Sequence, residues 1–438
     1  MPLLLVALGI ILLLVLIIVF KINAFISFVI VSVLLGITEG MPAIDVVTSI
    51  QKGIGDTLGS LVMILGFGAM LGSLVAESGA AQKITSRLIS LFGLKRIQWA
   101  LVLAGFIVGI PMFYTVGFVV LIPLVFTLAA STGLPLIYVG IPMLASLSVT
   151  HGLLPPHPSP TAIAEMFDAD IGKILLYGIL LSIPVIIIAG PLFSKTIKNI
   201  KATPLKEFVN TRTLQDDEIP GIWISLFTTL LPVLLIGISS VAALIFSEQS
   251  IAGSILGFLG DPVMAMLISL LVAIYFLGIA RGKKLNEIMD SLVKSISSIT
   301  MIFLIIAGAG GFKQVLVDSG TSNNIAALFS HFALSPLLLG WIIAAMLRIC
   351  VGSATVAGLT TAGIVLPLAT GGMVNKELLV LAIGAGSLIF SHVNDGGFWL
   401  FKEYFNLSVK DTFLTWTVME VIISVTGLAG ILLLNMIL

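Results

Sequence analysis

Apolar runs recur along the whole chain. One of about 20 residues is long enough to cross, as a helix, a hydrocarbon core about 30 Å thick. In the first half the runs 3–20, 24–38, 57–76 and 172–194 read as full spans, with shorter pieces at 97–110, 111–131 (carrying Pro111 and Pro123) and 134–150 between them. The segment 195–221 has no apolar run and contains Lys195, Lys198, Lys201, Lys206, Arg212 and the acidic triplet Asp216, Asp217 and Glu218, so it reads as a solvated linker. The pattern then begins again. Spans at 222–246, 261–280 and 292–317 precede shorter pieces at 336–347, 349–370 (with Pro367) and 376–391, and a last span covers 411–437.

Polar interruptions fall at matching places in the two halves. The stretch from Ser391 to Trp399, SHVNDGGFW, follows the apolar run Leu378 to Phe390, and the stretch from Thr150 to Pro160, THGLLPPHPSP, follows another, with His151 and His392 in register at an offset of 241. Near that offset Ser78-Gly79 falls on Ser319-Gly320, and Trp99 falls within one residue of Trp341. Coincidences in order and in register indicate an internal duplication, residues 1–194 followed by 222–438. Each half is expected to hold a re-entrant hairpin, at about 109–131 and about 349–370, and a broken helix, at about 150–161 and about 391–399.

Composition supports the same class. Of 438 residues 58% are hydrophobic and 10% are charged, against roughly 45–50% and 25% in soluble domains. The chain is therefore expected to be an all-α integral membrane protein. The run from Leu3 to Phe20 lacks a basic leading region and a small-residue cleavage site, and reads as the first transmembrane helix, not a signal peptide. Net charge is zero, which offers no basic surface for nucleic acid, and a lone cysteine, Cys350, precludes an internal disulfide. Basic residues gather at Lys83, Arg87, Lys95 and Arg96, in the linker, and at Arg281, Lys283, Lys284 and Lys294, so these segments are expected in the cytoplasm. Counting spans outward from the linker makes the halves inverted, with both termini outside.

Inverted repeats with helices broken at mid-membrane are how many secondary transporters build a substrate site. No Walker sequence is present, so an ion gradient is the expected energy source. Glycine, serine and threonine at Gly109 to Gly117 and at Val351 to Gly358 free backbone N–H groups at helix breaks, and such N-termini favour a carboxylate. Tyr114, Thr115, Gly352, Ser353 and Thr355 are the candidates there, with small-residue helix packing as the alternative reading. His151 and His392 could donate to substrate or carry a proton, or be satisfied at helix ends by carbonyls. Asp395, beside Asn394, reads as a proton carrier, a cation ligand or a helix cap. The proline run from Pro155 to Pro160 is expected to be extended and rigid, with His157 within it. His151, His157, His331 and His392 show no metal-ligand spacing, no Ser-His-Asp set has a supporting motif, and no cofactor is expected. Glu39, Glu77, Glu165, Asp168 and Asp170 fall near predicted helix ends and read as solvated or capping.

The chain resembles the gluconate permease family, whose members include gluconate:proton symporters and permeases for D-serine and related hydroxy acids. The likeness rests on SVTHGLLPPHPSPTAIA (148–164), LGDPVMA (259–265), FKQVLVDSG (312–320), VGSATVAG (351–358) and SHVNDGGFWLFKEYFNLSV (391–409), and covers essentially the whole chain. It implies an elevator-type secondary transporter of the inner membrane with paired re-entrant hairpins, taking up a sugar acid, most closely gluconate, with protons. For such a transporter the substrate hydroxyls are expected to meet His151, Ser159, Thr161, His392 and Asn394, and a homodimer is expected only by analogy with elevator-type relatives. Three positions depart from the family pattern: Thr115 stands for a common glutamate, Gly396 for a usual proline and Ser159 for a usual glycine. A permease for another small hydroxy or amino acid, and a cation/proton exchanger using Asp395 and Asn394, stay open at this stage.

Overall fold

The computed structural model describes residues 2–438 apart from 204–213, 216–217, 243–244, 248, 321–334, 371–373 and 394. Asn394, His331, Lys206, Arg212, Asp216 and Asp217 lie outside the described residues. The described residues form helices and connections with no strand. In the first half these are α1 (Pro2–Ile18), α2 (Ala24–Thr38), α3 (Ala43–Glu77), α4 (Ala80–Phe92), α5 (Ile97–Gly109), α6 (Tyr114–Thr132), α7 (Leu136–Leu153), α8 (Pro158–Phe167) and α9 (Ile171–Ile197). The second half contributes α10 (Ile222–Ala242), α11 (Ile251–Gly260), α12 (Pro262–Arg281), α13 (Leu285–Asp318), α14 (Pro336–Val351), α15 (Ala354–Thr370), α16 (Lys376–Leu388), α17 (Gly396–Tyr404) and α18 (Val409–Asn435). Among the described residues six helices are long and apolar enough to cross a membrane, or up to eight if each bent pair is one span.

The longest helices of the two halves, α3 with 35 residues and α13 with 34, pack along each other. Ser49 bonds Asp318 while Ser73 faces Ser291, so the two run antiparallel. They approach closely at Gly53 and Gly310, where a Cβ on either residue would collide with the other helix's backbone. Small residues let membrane helices pack at backbone contact. Each helix stops at a serine followed by a glycine in the left-handed region, Gly79 at φ 78° and Gly320 at φ 73°. Helix α3 extends well before the apolar run 57–76, because residues such as Thr48, Gln51 and Lys52 continue a helix without registering as hydrophobic.

Within each half a shorter pair runs parallel with a returning arm between. Gln98 on α5 donates to the Tyr138 carbonyl on α7 (2.9 Å), and further along Gly109 meets Thr150. Gly340 on α14 meets Leu379 on α16, and further along Ala344 meets Gly386. The helices that follow the hairpins form the interior: every residue from Leu378 to Leu388 is buried, and so is nearly all of α7. A helix apolar all round belongs in such a position. By contrast α10 leaves Trp223, Phe227, Leu234 and Ile238 uncovered by protein, as a lipid-facing surface does.

The proline run differs from the expected extended stretch. Only residues 154–157 are non-helical, and α8 starts at Pro158. Prolines in a first turn lose no intrahelical hydrogen bond, and their fixed φ suits the helix, so Pro158 and Pro160 initiate α8.

Candidate functional site

Two helix starts and two breaks converge on one cavity of about 560 Å³, within the range of small-molecule sites. In the first half α5 ends at Gly109, Ile110 to Phe113 turn the chain, and α6 begins at Tyr114. Gly109 packs closely there: a Cβ would lie 2.6 Å from Thr150 Oγ1. Its carbonyl, freed by the helix end, bonds His157 Nε2 at 2.9 Å. In the second half Gly352, at φ 76°, ends α14, and Ser353 Oγ accepts from the Val356 N–H at the start of α15. Phe113, Tyr114 and Thr115 from one hairpin and Gly352 to Thr355 from the other line the cavity. First-turn N–H groups lack intrahelical partners, so both starts suit an anionic ligand.

The strongest charge in the wall is Arg348, one turn before Gly352, with its side chain 5% exposed. Its Nη2 donates to Asp395 Oδ2 at 2.5 Å. Its Nε and Nη1 are buried and bond no protein group. Asp395 precedes α17, where its Oδ1 accepts from the Gly397 N–H (3.0 Å) and its Oδ2 also accepts from Ser391 Oγ. Trp416 Nε1 donates to Ser391 Oγ (2.7 Å), and Thr417 Oγ1 donates to the Ser391 carbonyl (2.5 Å). Trp416 and Thr417 lie in a π-turn, Phe413–Thr417, near the start of α18. One turn later on that helix Glu420, 2% exposed, accepts from Ser148 Oγ at 2.8 Å. Trp416, Glu420 and Ser148 all line the cavity.

An aromatic wall completes the enclosure. Tyr114 packs beside Trp416 (centroids 5.6 Å apart) and His151 (6.2 Å), and His151 meets His157 edge-on at 5.4 Å. The Tyr114 hydroxyl and His151 Nδ1 are buried with no bond to protein. Beyond Phe113 lies a second cavity of about 310 Å³, bounded by Gly72, Ser73, Glu77, Met112, Ser291 and Lys294. Phe113 belongs to both linings. Glu77 accepts there from Ser73 (2.9 Å) and Ser291 (2.6 Å).

Of the residues singled out from the sequence, Tyr114, Thr115, His151, Gly352, Ser353, Thr355 and Asp395 stand together in the cavity wall. Ser159 and Thr161 lie on α8, fully buried, with hydroxyls that bond no protein group; Ser159 packs against Gly358 of α15. His392 is outside the lining, its Nε2 on the Ile349 carbonyl at 2.9 Å. Sequence reasoning passed over Arg348, Glu420, Ser148 and Trp416. The first two carried a usable signal, since each is a lone charge inside an apolar run. Among the described residues no group of three His, Cys, Asp or Glu could hold a metal ion.

Comparison with known proteins adds three findings. The family model described as GntP family permease matches residues 1–437. The chain is 52% identical, over all of both chains, to the high-affinity gluconate transporter and to the Gnt-II system L-idonate transporter of Escherichia coli K12, and 50% identical to the gluconate permease of Bacillus subtilis 168, again over both whole chains. Among solved structures, Neisseria gonorrhoeae MtrF aligns with a TM-score of 0.70 at 15% identity over 94% of each chain. The Alcanivorax borkumensis YdaH transporter aligns with a TM-score of 0.67 at 17% identity over 94% of this chain and 97% of its own. The likeness in structure extends to the fold alone, whereas the likeness in sequence runs from end to end, through both hairpins and both breaks, and makes this chain a member of the GntP permease family.

Proposed function

We propose that this protein imports gluconate, or a sugar acid closely related to it, together with protons. The observation that carries the reading is Arg348: a nearly buried guanidinium in a cavity wall, with Nε and Nη1 bonded to no protein group. Arginine binds carboxylates through paired N–H donors, and buried donors left unmatched cost about 1–3 kcal/mol each, which a bound carboxylate would recover. The Ser353 and Thr355 hydroxyls and the α15 start stand beside it for further bonds, and Tyr114, Ser148 and His151 offer polar atoms to a polyol chain. Gluconate and L-idonate, named for relatives 52% identical to this chain, are both six-carbon polyhydroxy monocarboxylates, which fits one cationic anchor and many hydroxyl contacts.

Two inverted repeats moving in elevator fashion are part of the same proposal. The antiparallel packing of α3 on α13, helices at equivalent places in the two halves, supports the inversion. The clustering of basic residues in the linker and in the Lys283 to Lys294 region supports a cytoplasmic location for both.

Uptake of labelled gluconate into proteoliposomes, with and without an inward proton gradient, tests the reading. Gradient-driven accumulation, competed by L-idonate but not by D-serine, is expected. Competition by D-serine alone would move the substrate to the amino-acid members, and proton flux driven by Na⁺ without any organic substrate would replace the reading with an exchanger.

A further inference from the structure

We propose that Glu420 is the carboxyl group that takes up and releases the coupled proton, with Ser148 as its hydrogen-bond partner. The proposal rests on the sugar-acid reading above and deepens it. Two acids face the cavity, and their surroundings differ. The oxygens of Asp395 are engaged by Arg348, Ser391 and the Gly397 N–H, so protonating it would disrupt an ion pair and its supporting bonds. Glu420 accepts from one neutral hydroxyl, Ser148, and among the described residues no Lys or Arg lies within ion-pair distance of it. It lines the cavity, where a proton can arrive with water and leave the same way.

The charge in the cavity supplies the coupling. Arg348, Asp395 and Glu420 face it from α14, from the break before α17 and from α18, and the other titratable groups, Tyr114 and His151, face it from α6 and α7. A substrate carboxylate on Arg348 adds one negative charge to a space that already holds two acids and one guanidinium. One proton on Glu420 restores the charge of the empty cavity. Substrate and proton then favour each other's binding, and by linkage the effect is reciprocal. Departure of either leaves an uncompensated buried charge, which discourages the half-loaded protein from crossing. The position of Glu420 also fits the task. It lies four residues after Trp416, hence on the same helix face, and Trp416 is tied through Ser391 to the Asp395–Arg348 pair that would hold the substrate.

The test compares the full-length wild type with Glu420→Gln. In weakly buffered detergent solution, at a pH alkaline enough for Glu420 to be ionised in the empty protein, gluconate binding by the wild type should take up about one proton per substrate, read with a pH indicator dye, whereas E420Q should bind gluconate and take up none. In proteoliposomes E420Q should retain gluconate/gluconate exchange while losing at least about tenfold of its gradient-driven accumulation. Ser148→Ala keeps the carboxyl and removes its one partner, so it should shift the pH at which half the proton is taken up; this variant carries the test if E420Q does not fold. Proton uptake or gradient-driven accumulation at wild-type level in E420Q, or an unmoved pH profile in S148A, would overturn the assignment. Failure of the sugar-acid reading looks different: the wild type itself neither binds nor exchanges gluconate, and the same proton measurement on the sugar acid that it does bind then decides the role of Glu420.

Discussion

Arg348 and Asp395, 47 residues apart in sequence, meet at 2.5 Å between Nη2 and Oδ2 and join the end of one hairpin arm to the start of the helix after the break. The pair also leaves two guanidinium nitrogens unmatched. Arg348→Ala is therefore expected to weaken gluconate binding by about 2–5 kcal/mol, at least about thirtyfold in Kd, while Arg348→Lys keeps the charge, loses the fork and falls between. Titration calorimetry on the purified protein checks this, and wild-type affinity in R348A would remove Arg348 from the anion site.

Asp395→Asn leaves Arg348 buried without its counter-ion, a change that costs about 3–5 kcal/mol when a buried pair is broken. The melting temperature in detergent should fall. A substrate carboxylate can then serve as the missing counter-ion, so saturating gluconate should raise the melting temperature of D395N by more than it raises that of the wild type. Proton uptake on binding should persist. Thermal melts with and without gluconate read the first effect, and the dye assay reads the second.

Trp416→Phe removes the Nε1 bond to Ser391 but keeps the ring stacked on Phe401 (centroids 5.5 Å apart). The loss should be about 1 kcal/mol of stability, with Ser391 freed to rotate. Transport turnover is expected to fall more than affinity, because Ser391 orients Asp395 without being the anchor for substrate. Separate measurement of KM and maximal rate in proteoliposomes distinguishes the two.

Glycine positions give an internal control. Gly109→Ala places a methyl 2.6 Å from Thr150 Oγ1, so the Thr150 side chain or the hairpin turn must shift, whereas nothing lies within 4 Å of a Cβ at Gly55 on α3. G109A should lose most transport, while G55A should be neutral or stabilising by about 0.5–1 kcal/mol, the ordinary helix gain of alanine over glycine. Equal transport in the two variants would show that the turn at Gly109 tolerates movement.

Much of this architecture is legible in the order of residues. Apolar runs locate the helices because lipid tolerates little else, and the glycine and proline interruptions locate both hairpin turns because a helix must release its backbone there. The matched Ser78-Gly79 and Ser319-Gly320 each end a long helix, α3 and α13. The cavity wall is only half legible. Tyr114, Thr115, Ser353 and Thr355 sit at turns, where polarity is conspicuous, but Glu420 and Ser148 lie inside continuous helices, and α7 and α18 had to be packed before the two could meet. Polarity also misleads: His392 and Ser159 are as unusual in an apolar chain as His151, yet one bonds a carbonyl outside the lining and the other packs beneath it. Composition cannot tell a residue that faces a cavity from one that lies a helix radius behind it.

Because the Phe113 ring belongs to the linings of both cavities, the chamber holding Arg348 and the one holding Glu77 and Lys294 are separated there by the thickness of a single side chain. An unconstrained aromatic side chain changes rotamer far faster than helices rearrange. The ring packs edge-on against His157 at 6.5 Å, and His157 is itself moored to the Gly109 carbonyl, so the hairpin turn and the break before α8 hold the partition between them. A histidine outside the cavity lining thus braces the ring that borders both chambers.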